Sequence, residues 1–113
     1  MKNNYLSILF ILIFALGYGQ KETANWYFGQ YAGLNFSSRT PVPQKGSLNT
    51  LEGCASISNA KGAMLFYTDG NIIWNRNHEV MPNGTELFGQ KSSTQAAIIV
   101  PKPKSKNLYY VFT

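Results

Sequence analysis

Short apolar segments separated by turn residues make up the chain after residue 19, and their spacing predicts β-strands. Cys54–Ser58, Ala63–Thr68 and Asn71–Trp74 form three such segments, rich in small, aromatic and β-branched residues. Asn59–Gly62 connects the first two, and Asp69-Gly70 connects the last two. Asp-Gly tolerates positive φ at both central positions of a type I′ turn, so we expect a tight antiparallel meander here.

The flanking segments follow the same logic with weaker patterns. Trp26–Phe28 and Leu34–Phe36 lie on either side of Gly29–Gly33 and predict an opening hairpin. Residues Ser37–Asn49 contain two prolines, a glycine and several small polar residues, which predicts a loop. Glu86–Phe88 is the candidate fourth strand of the meander. After residue 19, no stretch longer than one turn has an apolar period of 3.6 residues, so we expect essentially no helix.

Two hairpins in the chain look alike. Ala55–Ser58 with Leu65–Thr68 is matched by Ala97–Val100 with Tyr110–Thr113, at offsets of 42 and 45 residues. That period suits one four-stranded blade of a β-propeller. The sequence therefore predicts an all-β fold, a partial β-propeller with about one full blade, part of a second and an N-terminal hairpin. The alternative is a small β-sandwich, which seven strands would allow.

The aromatic strand at Tyr109–Thr113 would be an exposed edge if nothing covered it, and such edges invite aggregation. A lone meander also buries too little apolar surface to offset the entropy of ordering its chain. We therefore expect residues 20–113 to be the N-terminal fragment of a propeller-like domain. Its first partners would be other blades or domains of a longer chain.

The N-terminus has the features of a signal peptide. Lys2 supplies a positive charge, Leu6–Leu16 is an apolar run, and Gly17 and Gly19 suit cleavage before Gln20. The eleven-residue run is short for a membrane span, which needs about 20 residues. Residues 1–19 are thus a predicted signal peptide, and we expect a secreted or outer-surface product with no membrane span after cleavage.

Composition agrees with an exported, folded chain. The 113 residues are 44% hydrophobic and 13% charged, with a formal net charge of +5, which is too apolar for a disordered protein. The single cysteine, Cys54, excludes an internal disulfide, and a small buried residue is the favoured interpretation. A nucleophile activated by His78, the only histidine, is the alternative, as are intermolecular pairing and oxidation sensing.

Motifs that carry catalysis are missing from the sequence. It contains no Gly-x-Ser-x-Gly, no phosphate-binding Gly-x-x-x-x-Gly-Lys and no His-Glu-x-x-His. His78 and Glu79 are adjacent, but neighbours on a strand point to opposite faces. Asp69 is explained by its turn before any metal or sugar is invoked. We therefore expect no catalytic residues, no cofactor and no metal.

Two surface features suggest ligands. Lys102, Lys104 and Lys106 alternate along one loop and could meet an anionic glycan, although a solvated loop tip is favoured and nucleic acid is not expected. Aromatic residues offer a stacking platform for sugar rings, and the candidate residues for glycan stacking are Trp26 and Trp74, with Tyr27 and Tyr31 beside them. Packing inside the sheet is the competing interpretation of these aromatics.

Several long motifs resemble a known group of proteins. They are Asn25–Gly29, Asn49–Ala55, Leu65–Gly70, Trp74–Gly84 and Ile99–Pro103. They look like the N-terminal region of large secreted Bacteroidetes proteins that carry a gliding-motility-associated, type IX secretion C-terminal sorting domain. That resemblance implies a propeller-like N-terminal part followed by immunoglobulin-like modules, and it implies no catalytic residues. The sorting domain itself is absent from these 113 residues.

Taken together, these features predict a non-catalytic module of an exported cell-surface or extracellular protein. Its role would be binding, adhesion or scaffolding, with surface glycans or other envelope proteins as further partners. Two alternatives stay open. One is the N-terminal part of a secreted polysaccharide-acting enzyme, whose paired carboxylates would lie outside this sequence. The other is a glycan-binding, lectin-like module that would lose its ligand on changing Trp26 or Trp74.

Overall fold

A computed structural model describes residues 19–113 of the protein, and this part of the chain is all-β. A single 3-10 turn, Lys21–Thr23, precedes eight strands. The strands are β1 (Asn25–Phe28), β2 (Gln30–Asn35), β3 (Val42–Asn49), β4 (Ala55–Ser58), β5 (Met64–Thr68), β6 (Ile73–Asn75), β7 (Ile98–Pro101) and β8 (Tyr109–Phe112). Apart from Gly19, the predicted signal peptide lies outside the described residues.

The strands form three small antiparallel sheets in chain order. Sheet 1 is β1-β2-β3, sheet 2 is β4-β5-β6 and sheet 3 is β7-β8. The three sheets do not close into a ring, so the fold confirms the all-β prediction and leaves the propeller as a proposal. Every sheet joins strands that are neighbours in sequence, which is the connectivity of a simple meander.

Sheet 1 contains the largest departure from the sequence prediction. The opening hairpin is present, but β2 begins at Gln30, and the predicted loop Ser37–Asn49 contains β3. Proline is tolerated in β3 because this strand is at the edge of its sheet, where one side of the backbone has no partner. Pro43 lies opposite Leu34 in the ladder. The prediction of a loop over β3 was therefore wrong.

Sheet 2 confirms the predicted meander, with one correction to its turns. Asn59 caps the first turn, its Oδ1 accepting from the backbone N–H groups of Lys61 and Ala63 at 2.9 and 3.0 Å. At the second turn only Gly70 has positive φ, +87°. The type I′ prediction was wrong, because the Asp69 carboxylate accepts from the backbone N–H groups of Asn71 and Ile72 and holds a wider turn.

The outer edge of sheet 2 also differs from expectation. Glu86–Phe88, the candidate fourth strand, is not a strand. Instead Val80 forms an isolated antiparallel bridge with Trp74, and the N–H of Met81 donates to Ile73 O at 2.9 Å. The fourth strand of this sheet is thus reduced to a single bridge.

Sheet 3 contains the second predicted hairpin, but the sequence alignment of the two hairpins was one residue out of step. The sequence alignment made Tyr67 equivalent to Phe112. Tyr67 faces the preceding sheet, sheet 1, whereas Phe112 is on the face of sheet 3 that points away from the preceding sheet, sheet 2. Tyr67 instead matches Val111, and Ser56 matches Ile99, at offsets of 44 and 43 residues. A one-residue slip moves every side chain of a strand to the opposite face.

The three sheets are arranged face to face, with their first strands side by side. β1 lies against β4, and β4 lies against β7. Tyr27, Leu48, Tyr67 and Trp74 form the buried cluster between sheets 1 and 2. On the other face of sheet 2, the rings of Phe66 and Tyr109 meet edge to face at 5.5 Å.

Residues 86–97 connect sheet 2 to sheet 3 through unusually close backbone contacts. The N–H of Gly53 donates to Ser93 O at 3.0 Å, and the N–H of Gly89 donates to Gly70 O at 2.9 Å. A Cβ on Gly70 would collide with the backbone of Ala96. Glycine is therefore required at this crossing by space as well as by its positive φ.

Candidate functional site

A stack of aromatic rings joins sheets 1 and 2. The rings of Tyr27 and Tyr67 are parallel with centroids 4.4 Å apart, and the ring of Trp74 lies 5.5 Å beyond Tyr67. His78 lies beside the stack, with its Nδ1 2.9 Å from the Tyr67 hydroxyl, within hydrogen-bond distance. Such offset stacks add to stability beyond the area they bury.

Polar groups complete this contact between the two sheets. The Tyr27 hydroxyl donates to Gln44 Oε1 at 2.8 Å, and the N–H of Ser47 donates to the Tyr67 hydroxyl at 2.8 Å. Burial raises the pKa of Tyr27, and the neighbouring Tyr67 raises it further. Both effects keep the Tyr27 hydroxyl protonated. The cluster therefore acts as packing between two sheets.

The two tryptophans singled out by the sequence are in different environments. Trp74 is 7% exposed and lies inside the stack, whereas Trp26 is 51% exposed. Trp26 packs against Phe36 with ring centroids 4.9 Å apart, on the face of β1 opposite to Tyr27. The structure does not bring them together on one surface, so the exposed aromatic group here consists of Trp26, Phe28 and Phe36.

Asn25 is a polar link that sequence reasoning did not assign. It is buried, and its Nδ2 donates to Ser58 Oγ at 3.0 Å and to Gly62 O at 2.9 Å. Its Oδ1 accepts from Asn35 Nδ2 at 2.7 Å. Because both ends of this amide are satisfied across two sheets, Asn25 sets how sheet 1 sits on sheet 2.

The remaining candidate residues have structural partners. The structure uses His78 in the aromatic stack, whereas Glu79 accepts from Asn75 Nδ2 at 3.2 Å. Burial raises the pKa of Cys54, and the charge of Asp69 adds to the effect, which disfavours the reactive thiolate. Within residues 19–113, no three His, Cys, Asp or Glu side chains gather as metal ligands would.

The structure also bears on the lysine-rich loop and on the expectation that the chain has no membrane span. Lys102, Lys104 and Lys106 are all exposed on the β7–β8 connection. Among residues 19–113 we find no helix with the length and apolarity needed to cross a bilayer.

The outer face of sheet 3 is the most distinctive surface of the described chain. Ile98 lies opposite Phe112, and Val100 lies opposite Tyr110, so these four side chains share one face. Each of them is between 39 and 59% exposed. We call this group the sheet 3 outer face. Sequence reasoning noted an aromatic last strand but missed the face, because the face depends on the pairing of β7 with β8.

Comparisons with known proteins add nothing to this geometry. No family model matches the chain, and neither a curated protein nor a solved structure matches it. The structure of residues 19–113 defines an all-β module of three stacked antiparallel sheets.

Proposed function

We propose that this chain is a non-catalytic module of an exported cell-surface or extracellular protein, used for binding, adhesion or scaffolding. It works by packing its sheets against further β-sheets in a propeller-like arc. The observation that carries the proposal is the sheet 3 outer face, a contiguous apolar surface made by Ile98, Val100, Tyr110 and Phe112. Exposed apolar patches of this kind mark interaction surfaces.

The arrangement of the three sheets supports the propeller. In a propeller, blades pack face to face and their first strands lie nearest the central axis. Here β1, β4 and β7 are neighbours, and sheet 2 has sheet 1 on one face and sheet 3 on the other. The sheet 3 outer face is where a following sheet would continue the series.

The gain from covering this face is large enough to matter. Full burial of an aliphatic or aromatic side chain contributes about 1.5 to 3 kcal/mol. The four side chains are already about half covered, so each has roughly 1 kcal/mol left to contribute. A total of about 4 kcal/mol is a substantial part of the stability of a small domain.

A photo-crosslinking experiment tests the packing role. Benzoylphenylalanine replaces Tyr110 in the exported protein, and the matched control places it at Asn83, which is exposed on a polar turn. We expect Tyr110 to crosslink to a further β-rich segment, of the same protein or of an envelope protein, identified by peptide mass, and Asn83 to give none. Equal crosslinking at the two positions refutes the proposal.

Export is tested separately by the mass of the product. Cleavage before Gln20 removes residues 1–19, including Lys2, and leaves a product that begins at Gln20. We expect this species outside the cell, and we expect Ile11→Arg to abolish it by interrupting the apolar run. A mature product that still carries Lys2 overturns the export part of the proposal.

A lectin-like role is a second candidate, favoured by the exposure of Trp26 beside Phe28 and Phe36. Exposed aromatic rings can stack on sugar rings. Trp26→Ala should then abolish saturable glycan binding while leaving the unfolding midpoint nearly unchanged. Binding that survives this substitution removes the lectin role from consideration.

A further inference from the structure

The outer edge of β8 has main-chain groups that point away from its partner. In an antiparallel pair, hydrogen-bonded and non-hydrogen-bonded residue pairs alternate along the ladder. The N–H of Lys102 donates to Leu108 O at 2.9 Å, which makes this pair a hydrogen-bonded one. Pro101, which has no N–H, lies opposite Tyr109 in the next pair. The N–H and C=O groups of Tyr109 and Val111 therefore point away from β7.

An open cleft of about 650 Å³ adjoins this edge. Tyr109 and Val111 of β8 line it together with Phe66 and Ile73 of sheet 2 and Met81 beyond β6, and the charged residues Arg76 and Lys106 lie at its rim. The cleft continues the contact that Phe66 and Tyr109 already make between the two sheets. An apolar wall beside a row of outward main-chain groups is the surface that an added strand recognises.

Sheet 2 shows how the same position is filled one repeat earlier. The N–H of Ile73 donates to Gly84 O at 2.8 Å, and the N–H of Asn75 donates to Glu79 O at 2.8 Å. These two residues of β6 bond outward, so Trp74 between them exchanges main-chain hydrogen bonds with Tyr67. Tyr67 corresponds to Val111, whose main-chain groups have the matching direction.

We propose that the outer edge of β8 receives a third antiparallel strand with the chemistry of β6. The occupant is a strand from an adjoining part of the same protein. It places a large apolar side chain opposite Val111 and into the cleft, as Trp74 lies opposite Tyr67. This proposal rests on the proposed function, because it names what continues sheet 3. A two-stranded hairpin alone is marginal in water, and a third strand makes it a stable sheet.

A designed extension tests the proposal on the chain itself. Thr113→Asp is followed by a copy of residues 70–75, which reproduces the turn and third strand of sheet 2. The matched control is the same extension with proline in place of the copied tryptophan, which removes both the N–H and the large side chain. Neither variant changes a residue of the cleft.

Amide hydrogen exchange is the direct readout. We expect the extension to slow exchange at Val111 by at least about tenfold and to raise the melting temperature by roughly 5 to 10 °C. The proline control should do neither. Equal exchange in the two extended proteins overturns the proposal.

A second copy of the chain is the competing occupant. If the unextended protein forms a dimer that protects the Val111 amide, and the extension dissociates it, the edge pairs with its own copy and our choice of occupant is wrong. Crosslinking from Tyr110 reports on the sheet 3 outer face, which is separate from the edge. Failure of the strand with crosslinking intact therefore leaves the proposed function standing.

Discussion

Gly46→Ala should destabilise the protein, because the added Cβ would press on the Tyr27 ring of the aromatic stack. The Tyr27 ring lies across Gly33 and Gly46, which are on β2 and β3, the next two strands of sheet 1. A Cβ on Gly46 would lie 2.5 Å from Tyr27 Cδ1 and 2.9 Å from Cε1. The ring has little freedom to retreat, because its other side stacks on Tyr67 at 4.4 Å and its hydroxyl bonds Gln44.

The magnitude follows from the cost of overpacking a well-packed contact, about 1 to 3 kcal/mol. For a domain of this size, each kcal/mol lowers the melting temperature by about 4 to 8 °C. We therefore expect a fall of roughly 10 °C for about 2 kcal/mol. Urea unfolding followed by tryptophan fluorescence gives the free energy of unfolding, and Lys45→Ala, at the exposed neighbouring position of β3, is the control.

A double-mutant cycle separates this steric cost from a general effect on β3. In a Tyr27→Ala background the ring is gone, so Gly46→Ala should cost little or nothing. The coupling between the two substitutions should then be about 1 to 3 kcal/mol, in the range seen for residues in contact. If Gly46→Ala costs the same with and without Tyr27, the steric explanation is refuted.

Three further outcomes are expected. Asn25→Ala should lower the free energy of unfolding by about 3 kcal/mol, because it leaves the partners of three hydrogen bonds unsatisfied. The control Asn49→Ala, at an exposed position, should change this free energy little. Trp74→Ala should lower the free energy of unfolding by about 3 to 5 kcal/mol, and Trp26→Ala should lower it by less than about 1 kcal/mol, because only Trp74 is buried. Similar losses for the two substitutions would contradict this reasoning. Because the pKa of Cys54 is raised on folding, its thiol adds stability below the ordinary thiol pKa, and that stability is lost as pH rises through the raised pKa. Urea unfolding from about pH 8 to about pH 10 should show this decline in wild type and a smaller one in Cys54→Ala.

Local turn chemistry explains why sheet 2 could be read from the sequence. Asn59 and Gly62 make a turn with their own side chain and backbone, so they mark the ends of β4 and β5 wherever the rest of the chain lies. The strand β3 carried no such mark. Pro43 and Gly46 look like loop residues, and only the edge position and the ring of Tyr27 make them suitable for a strand.

The candidate site depended on pairing that no single segment contains. Both tryptophans were equally good glycan candidates as residues in short strands, and the stacking of sheet 1 on sheet 2 buried one and left the other exposed. The sheet 3 outer face needed the register of β7 against β8, and the sequence alignment of the repeats was one residue out of step.

Strand periodicity and turn residues act over a few neighbouring positions, so they were enough to predict the all-β class, the meander of sheet 2 and a second hairpin. The tertiary structure alone decided the strand β3, the burial of Trp74, the link at Asn25 and the open edge of β8. Those features arise from contacts between residues distant in the chain, and a side chain's face is set by a register that its own segment does not encode.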